Sequence, residues 1–316
     1  MRIVFAGTPQ PAAVALQRFL DSHHEVIAVI TRPDAPQGRG RRVVASPVAR
    51  LAREAGIEVL TPTTLKPGTA DGDAAAARLR QLAPDVIPVV AYGCLVPREL
   101  LDVAPHGWIN LHYSLLPRWR GAAPVQAAIR AGNRVTGATT FRIDEGLDTG
   151  EILATVNEEI RITDTADDLL TRLAYSGADL LVNTVNGCEH STLRPRPQEG
   201  TPSYAGKITQ QDARIQWADS AVDIARAIRA YTPAPGAWTT LEGARLKVSP
   251  VEVPLDVAVP DGEPGQLHIS KSEVLVSTGS GVVRLTRVQP AGKAAMPAAD
   301  WARGLSFADS AEARLS

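Results

Sequence analysis

The sequence predicts an α/β protein, a doubly wound and mostly parallel sheet followed by a small antiparallel barrel. Three observations carry this prediction. The first half alternates β-rich apolar runs with helical patterns, a Pro- and Gly-rich stretch interrupts the chain near position 190, and the remainder breaks into short alternating runs separated by turn residues. Strands are expected at Arg2 to Phe5, Glu25 to Thr31, Glu58 to Leu60, Val86 to Val90 and Gly107 to His112. Helices are expected between them, at Ala12 to Leu20, Pro47 to Ala55, about Ala74 to Leu82 and near Pro97 to Leu101. Right-handed crossovers then wind this pattern into one sheet. A helix at Ala123 to Ala131, strands near Gly137 to Ile143 and Glu151 to Ile160, and a long helix from Thr165 to Asn186 complete the first domain, with Thr163 or Asp164 as the last helix's cap.

The expected domain limits are residues 1–189, a linker at 190–206 and a second domain at 207–316. Beyond the linker, one helix (Ser220 to Ala230) precedes runs at Trp238 to Leu241, Arg245 to Ser249, Gln266 to Ile269, Val274 to Ser277 and Val282 to Val288. Such strands suit a small barrel.

Composition narrows the function. With 44% hydrophobic residues, 21% charged residues and a formal net charge of -1 over 316 residues, bulk charge advertises no nucleic-acid partner. No apolar run approaches the length of a membrane span and Met1 leads directly into a strand, so a cytoplasmic protein with no membrane partner is expected. Cys94 and Cys188 lie far apart and outside any CxxC spacing, which supports neither a disulfide framework nor a zinc site; no metal is expected. The AGTPQP segment after the first strand lacks GxGxxG, which argues against a dinucleotide and leaves a tight strand-to-helix turn.

Chemistry-bearing residues gather in two segments. In WINLHYSLLPRWRGAAP, Asn110 and His112 are two apart at a strand end, so both side chains share one face at the sheet edge where open α/β sheets place ligands. An amide and an imidazole there can polarise a carbonyl and move a proton; the same pair, taken alone, equally suits structural hydrogen bonding. In DEGLDTG, Asp148 is the carboxylate with room to act, although such a loop in isolation reads better as a solvated acidic turn. A carboxylate beside His112 is expected to fix its tautomer and raise its pKa.

These residues carry a resemblance. NLHYSLLPRWRGAAP followed by GLDTG resembles the signature of the 10-formyltetrahydrofolate-dependent formyltransferases. AGTP, TRPDAPQGRGRR, VVAYG, SYAGKIT and QPAGKAAM extend the similarity in order along the chain, in the pattern of those members whose acceptor is the amine of initiator methionyl-tRNA. The resemblance implies a Rossmann-like catalytic domain and an OB-like second domain, a monomer, and 10-formyltetrahydrofolate as co-substrate without a metal. It assigns the catalytic trio to Asn110, His112 and Asp148. It places the folate against Ser114, Leu115, Leu116 and Pro117, with Val90, Ala91, Tyr92 and Gly93 beside the pteridine. Tyr113, Cys94 and Pro88 depart from the family's usual pattern.

Arg39, Arg41 and Arg42 lie in a long loop, which alone reads as a solvated excursion; the resemblance implies that it enters the tRNA acceptor arm. From Lys207 onward the chain holds twelve basic and twelve acidic residues, so tRNA contact there needs a local patch, for which Lys207, Arg245, Lys247 and Lys293 are the candidates. Formyltransferases acting on glycinamide ribonucleotide resemble the first domain alone, and those acting on nucleotide sugars lack the inserted GRGRR loop. A folate hydrolase would share the pocket, and a non-catalytic RNA-binding protein would have no need of the trio.

Overall fold

The computed structural model describes residues 1–37, 42–254, 262–305 and 313–316. Two compact units emerge. The first comprises Met1–Pro124, Val135–Glu159 and Leu170–Ala205, and the second Val125–Arg134, Ile160–Leu169 and Gly206–Ser316.

The first unit is built on seven strands: β1 (Arg2–Gly7), β2 (Glu25–Ile30), β3 (Glu58–Leu60), β4 (Ile87–Val90), β5 (Trp108–His112), β6 (Val135–Arg142) and β7 (Ile152–Glu159). Their order across the sheet is β7-β6-β5-β4-β1-β2-β3. The five strands from β5 to β3 run parallel, whereas β6 pairs antiparallel with both β5 and β7. Helices α1 (Gln10–Leu20), α2 (Pro47–Glu54), α3 (Ala70–Leu82) and α4 (Arg98–Leu101) supply the crossovers, and α5 (Pro124–Arg130) follows β5 in the chain. Central β1 and β4 read as continuous apolar runs because parallel strands are covered on both faces; Ile3, Val4, Phe5, Ile87 and Val90 are wholly buried. Pro88 sits inside β4, and its missing N–H is tolerated where the β1 ladder passes from the Ile3–Val86 bridge to the Ala6–Val89 pair.

Most boundaries fall within two or three residues of those expected, but three features differ. The long helix α6 is Ala166–Glu189, and its cap is neither Thr163 nor Asp164. Thr165 and Asp168 instead form a reciprocal capping box, Thr165 Oγ1 accepting from the Asp168 N–H at 3.3 Å and the Asp168 carboxylate accepting from the Thr165 N–H at 3.0 Å. The loop carrying the arginine cluster is flanked by a short antiparallel ladder, Ala35–Gln37 against Arg42–Val44. The segment expected to be a linker is stitched to the first unit: Arg196 bridges Ile152, and Tyr204 and Ala205 pair in parallel with Arg120 and Gly121.

In the second unit, α7 (Ala221–Ala230) is capped by Ser220, whose hydroxyl oxygen accepts from the Asp223 N–H at 3.2 Å. Its Ile224 and Ile228 pack with Trp217, Leu246, Val274, Val276 and Val288 in one apolar cluster. Antiparallel strands β8 (Trp238–Leu241), β9 (Ala244–Val248) and β13 (Arg287–Pro290) form one sheet, which Met296–Pro297 extends. Strands β10 (Leu267–Ile269), β11 (Val274–Ser277) and β12 (Val282–Leu285) form another. The expected run Val282 to Val288 is thus two strands that part at Thr286 and belong to different sheets.

Candidate active site

Strand β5 ends at the carboxyl edge of the sheet between β4 and β6, where Asn110 pairs with Val89 on one side and Phe141 on the other. The two-residue period puts Asn110 and His112 on one face, as expected. Among the described residues Asn110's side-chain amide has no hydrogen-bond partner, and the residue is only partly buried, so its donors are free for a ligand. His112 is 6% exposed and stands edge-on to Phe141, whose ring joins Leu116 and Ile152 in an apolar floor.

Asp148 does converge on His112, with its Oδ2 lying 3.7 Å from Nδ1. That separation is long for a direct hydrogen bond. The same Oδ2 accepts from the Gly121 N–H at 2.7 Å. The loop that presents it is held from both ends. Asp144 Oδ1 accepts from the Gly146 N–H and from the Thr149 hydroxyl, and a Cβ on Gly150 would lie 1.7 Å from the Arg142 carbonyl oxygen. Asp148 itself has φ 52°, a left-handed conformation that costs a non-glycine residue roughly 1–2 kcal/mol. Such strain at a carboxylate facing an imidazole is a mark of a functional position.

Two expectations about His112 need correction. Its tautomer is set by Trp119, not Asp148: Nε2 lies 2.8 Å from the Trp119 carbonyl oxygen, which can only accept, so Nε2 carries the proton and Nδ1 is bare in the neutral ring. Its pKa moves down rather than up, because burial disfavours the imidazolium more than the Asp148 charge and the Trp119 carbonyl favour it. At neutral pH His112 is therefore a neutral base, its lone pair directed toward the carboxylate.

Several supporting residues were not anticipated from the sequence, and three lie in the expected linker or beside it. Gln198 donates from Nε2 to the carbonyls of Asp148 (2.8 Å) and Gly150 (2.9 Å), and its Oε1 accepts from Arg120 Nε and Nη2. The Ser203 hydroxyl oxygen accepts from the Trp119 N–H at 2.9 Å. Gly121, at φ 112°, has no room for a side chain, since a Cβ would stand 2.7 Å from the Ala205 carbonyl oxygen. Long sequence separation hid these contacts; an RG dipeptide and an isolated Gln carry no local signal.

The residues expected around the co-substrate divide by exposure. Ser114, Leu116 and Pro117 are buried and Leu115 is partly so; Ser114's hydroxyl donates to the Arg118 carbonyl at 2.6 Å, and its own carbonyl accepts from Thr139 at 2.7 Å. Val90 and Tyr92 are buried, while Ala91 and Gly93 are exposed and in left-handed conformations (φ 46° and 78°). Tyr113 fills space left by Gly177 of α6, whose Cβ position lies 3.4 Å from its ring, and burial pushes its phenol pKa up. Leu95 (89% exposed) and Leu147 (58% exposed) add apolar surface close in sequence to the Ala91–Gly93 turn and to Asp148, and neither was anticipated.

Of the basic candidates, Arg39 and Arg41 lie outside the described residues; Arg42, Lys207, Lys247 and Lys293 are exposed. Arg245 is committed elsewhere, its guanidinium stacked 4.2 Å from the Trp238 ring centroid.

An amide with no partner among the described residues, a neutral imidazole and a carboxylate in a left-handed turn meet at the carboxyl edge of a parallel sheet, an arrangement that can polarise a carbonyl and take up a proton. Sequence comparison agrees. The profile of the family described as Formyl transferase matches residues 1–185, and that of Formyl transferase, C-terminal domain, matches residues 207–306. The chain belongs to the formyl transferase family. A Corynebacterium aurimucosum protein called Methionyl-tRNA formyltransferase is 62% identical over 315 residues, covering 97% of this chain and 95% of that protein. A Thermobifida fusca protein of the same name is 58% identical over 98% of each. The solved structure of WlaRD, a sugar 3N-formyl transferase in the presence of dTDP and 5-N-formyl-THF, superposes with a TM-score of 0.69 at 18% identity, covering 93% of this chain and 99% of that one, a likeness of fold.

Proposed function

We propose that this chain transfers the formyl group of 10-formyltetrahydrofolate to the amino group of methionyl initiator tRNA. The observation that carries the reading is Asp148 lying 3.7 Å from His112, two residues along β5 from Asn110, in a chain so similar over nearly its whole length to proteins of that name. The residues present fit the co-substrate: the exposed Ala91 and Gly93 suit the hydrogen-bonding edge of a pteridine, while Leu115 and the exposed Leu95 and Leu147 offer apolar surface to its rings. When bound, the folate supplies an activated formyl carbon and a leaving nitrogen.

Asn110 donates from its amide to the formyl oxygen as that oxygen gains negative charge. His112 Nδ1 would accept the proton released by the attacking amine, Asp148 would stabilise the imidazolium so formed, and the same proton would pass to the departing folate nitrogen, returning His112 to its neutral form. Burial of His112 keeps this base unprotonated between turnovers. Gln198 and Ser203 hold the Asp148 loop and the Trp119 carbonyl in place, so that both proton partners of the ring are fixed.

The second unit, read as OB-like, lies along the tRNA, with Lys207, Lys247 and Lys293 as phosphate contacts and Arg245 acting through its stack on Trp238. Arg39, Arg41 and Arg42 contact phosphates of the tRNA acceptor arm. The division at 1–189, 190–206 and 207–316 then separates catalysis from carrier recognition. The test is tetrahydrofolate release by purified enzyme. It should require methionyl initiator tRNA, with uncharged tRNA, nucleotide sugars and glycinamide ribonucleotide all inert; release without charged tRNA would identify a folate hydrolase and refute the reading.

A further inference from the structure

At the amino-terminal ends of the sheet strands, away from the edge that carries Asn110 and His112, two histidines and a glutamate meet. His23 and His24 occupy the turn between α1 and β2, and Glu189 is the last residue of α6. Their ligand atoms all lie within 4.8 Å of one another, the one such grouping of three or more His, Cys, Asp or Glu among the described residues. His23 Nε2 is 2.7 Å from Glu189 Oε2. Through its ammonium, the Met1 amino group donates to Glu189 Oε1 at 3.1 Å and lies 3.2 Å from His24 Nδ1.

Two further observations separate this grouping from an ordinary surface ion pair. The second nitrogen of His24 lies 2.8 Å from Asn186 Oδ1. A carbonyl oxygen there can only accept, so Nε2 holds the proton and the Nδ1 lone pair is aimed into the cluster. This is the outer-shell arrangement that orients metal-binding imidazoles. The place where these groups meet already holds a positive group, the Met1 ammonium, 3.2 Å from His24 Nδ1 and 3.1 Å from Glu189 Oε1.

We propose that His23 Nε2, His24 Nδ1 and the Glu189 carboxylate bind a divalent transition ion of the zinc class. Two imidazoles and one carboxylate are borderline donors suited to such an ion rather than to calcium or magnesium. Tetrahedral bonds of about 2.0–2.1 Å set donors roughly 3.3 Å apart; the His23–Glu189 spacing of 2.7 Å opens by about half an ångström to reach this, and the other separations, all within 4.8 Å, adjust around it. A water molecule completes the tetrahedral set. The bound ion ties the start of β1, the α1–β2 turn and the end of α6 together. The candidate site is empty in this structure.

Calorimetric titration of the metal-free full chain with zinc chloride, and absorption titration with cobalt chloride, test the proposal. One ion should bind per chain, affinity should fall as pH is lowered because the imidazole and carboxylate ligands take up protons, and a tetrahedral cobalt spectrum should appear. His23→Ala and Glu189→Gln change exposed side chains and should each weaken binding at least tenfold with an unchanged circular dichroism spectrum. His112→Ala should bind as the parent does. Absence of one-to-one binding, or binding undiminished in His23→Ala and Glu189→Gln, overturns the assignment, as does loss of binding in His112→Ala.

Discussion

In the proposed mechanism Asn110 and His112 divide the chemistry by protonation. Asn110's amide has no partner among the described residues, so on this proposal removing it subtracts from the transition state alone. Asn110→Ala should lower kcat by roughly 10² to 10³, with the fold intact by circular dichroism; nearly full activity would remove Asn110 from the mechanism. His112 reacts as a base, so kcat/KM should be level through neutrality and fall on the acid side, with its acid limb below the ordinary histidine value of 6.5. Asp148's charge is the largest influence raising that pKa, so in Asp148→Asn the limb should move to still lower pH while the maximal rate drops. A limb that stays put in Asp148→Asn would show that the carboxylate does not act on the ring.

At the scale of elements, β5 delivers the two reacting side chains and the Asp144–Gly150 loop delivers the third. The loop depends on a segment that is neither helix nor strand. Gln198 bonds the carbonyls on both sides of the Asp148 turn, and misplacing a reacting group by about 1 Å can cost on the order of 10²-fold. Gln198→Ala should therefore reduce kcat by about ten- to hundredfold, and its pH profile should keep the acid limb of the parent only if Asp148 still faces His112; a change under twofold would mean that the loop holds itself. β5 opens on Trp108, wholly buried, with its indole N–H donating to the Leu100 carbonyl at 2.7 Å. Trp108→Ala should cost about 3–5 kcal/mol of stability in chemical denaturation, the usual loss for a buried aromatic.

For the whole molecule, charge is balanced and recognition of a polyanion falls to local groups. Binding of charged tRNA should weaken steeply with salt, and Arg42→Ala should lessen the slope of log affinity against log salt by about one; a flat dependence in the parent would argue against phosphate contact. Acid should also loosen the fold. His24, His112 and His268 all have pKa values lowered by burial, so the unfolded chain takes up protons below about pH 6.5 that the folded chain does not. Stability present above that pH is lost as the pH falls through it, and the melting temperature should decline from pH 7 to pH 5.

The alternation of strands and helices, the strand-end Asn110 and His112, and the glycine-bounded Asp148 were legible in the sequence because each is a local pattern: a period of two or 3.6 residues, or a turn that only glycine closes. What the tertiary structure decided was everything set by contacts between distant positions. The capping of α6 by Thr165, the splitting of one predicted strand at Thr286, and the stitching of residues 190–206 onto the first unit all depend on which backbone groups find partners. His112 is the clearest case. Its neighbours in sequence cannot say that burial outweighs a carboxylate 3.7 Å away, or that the Trp119 carbonyl, seven residues on, claims the ring proton. Desolvation is a property of the packed interior, and no single segment contains it.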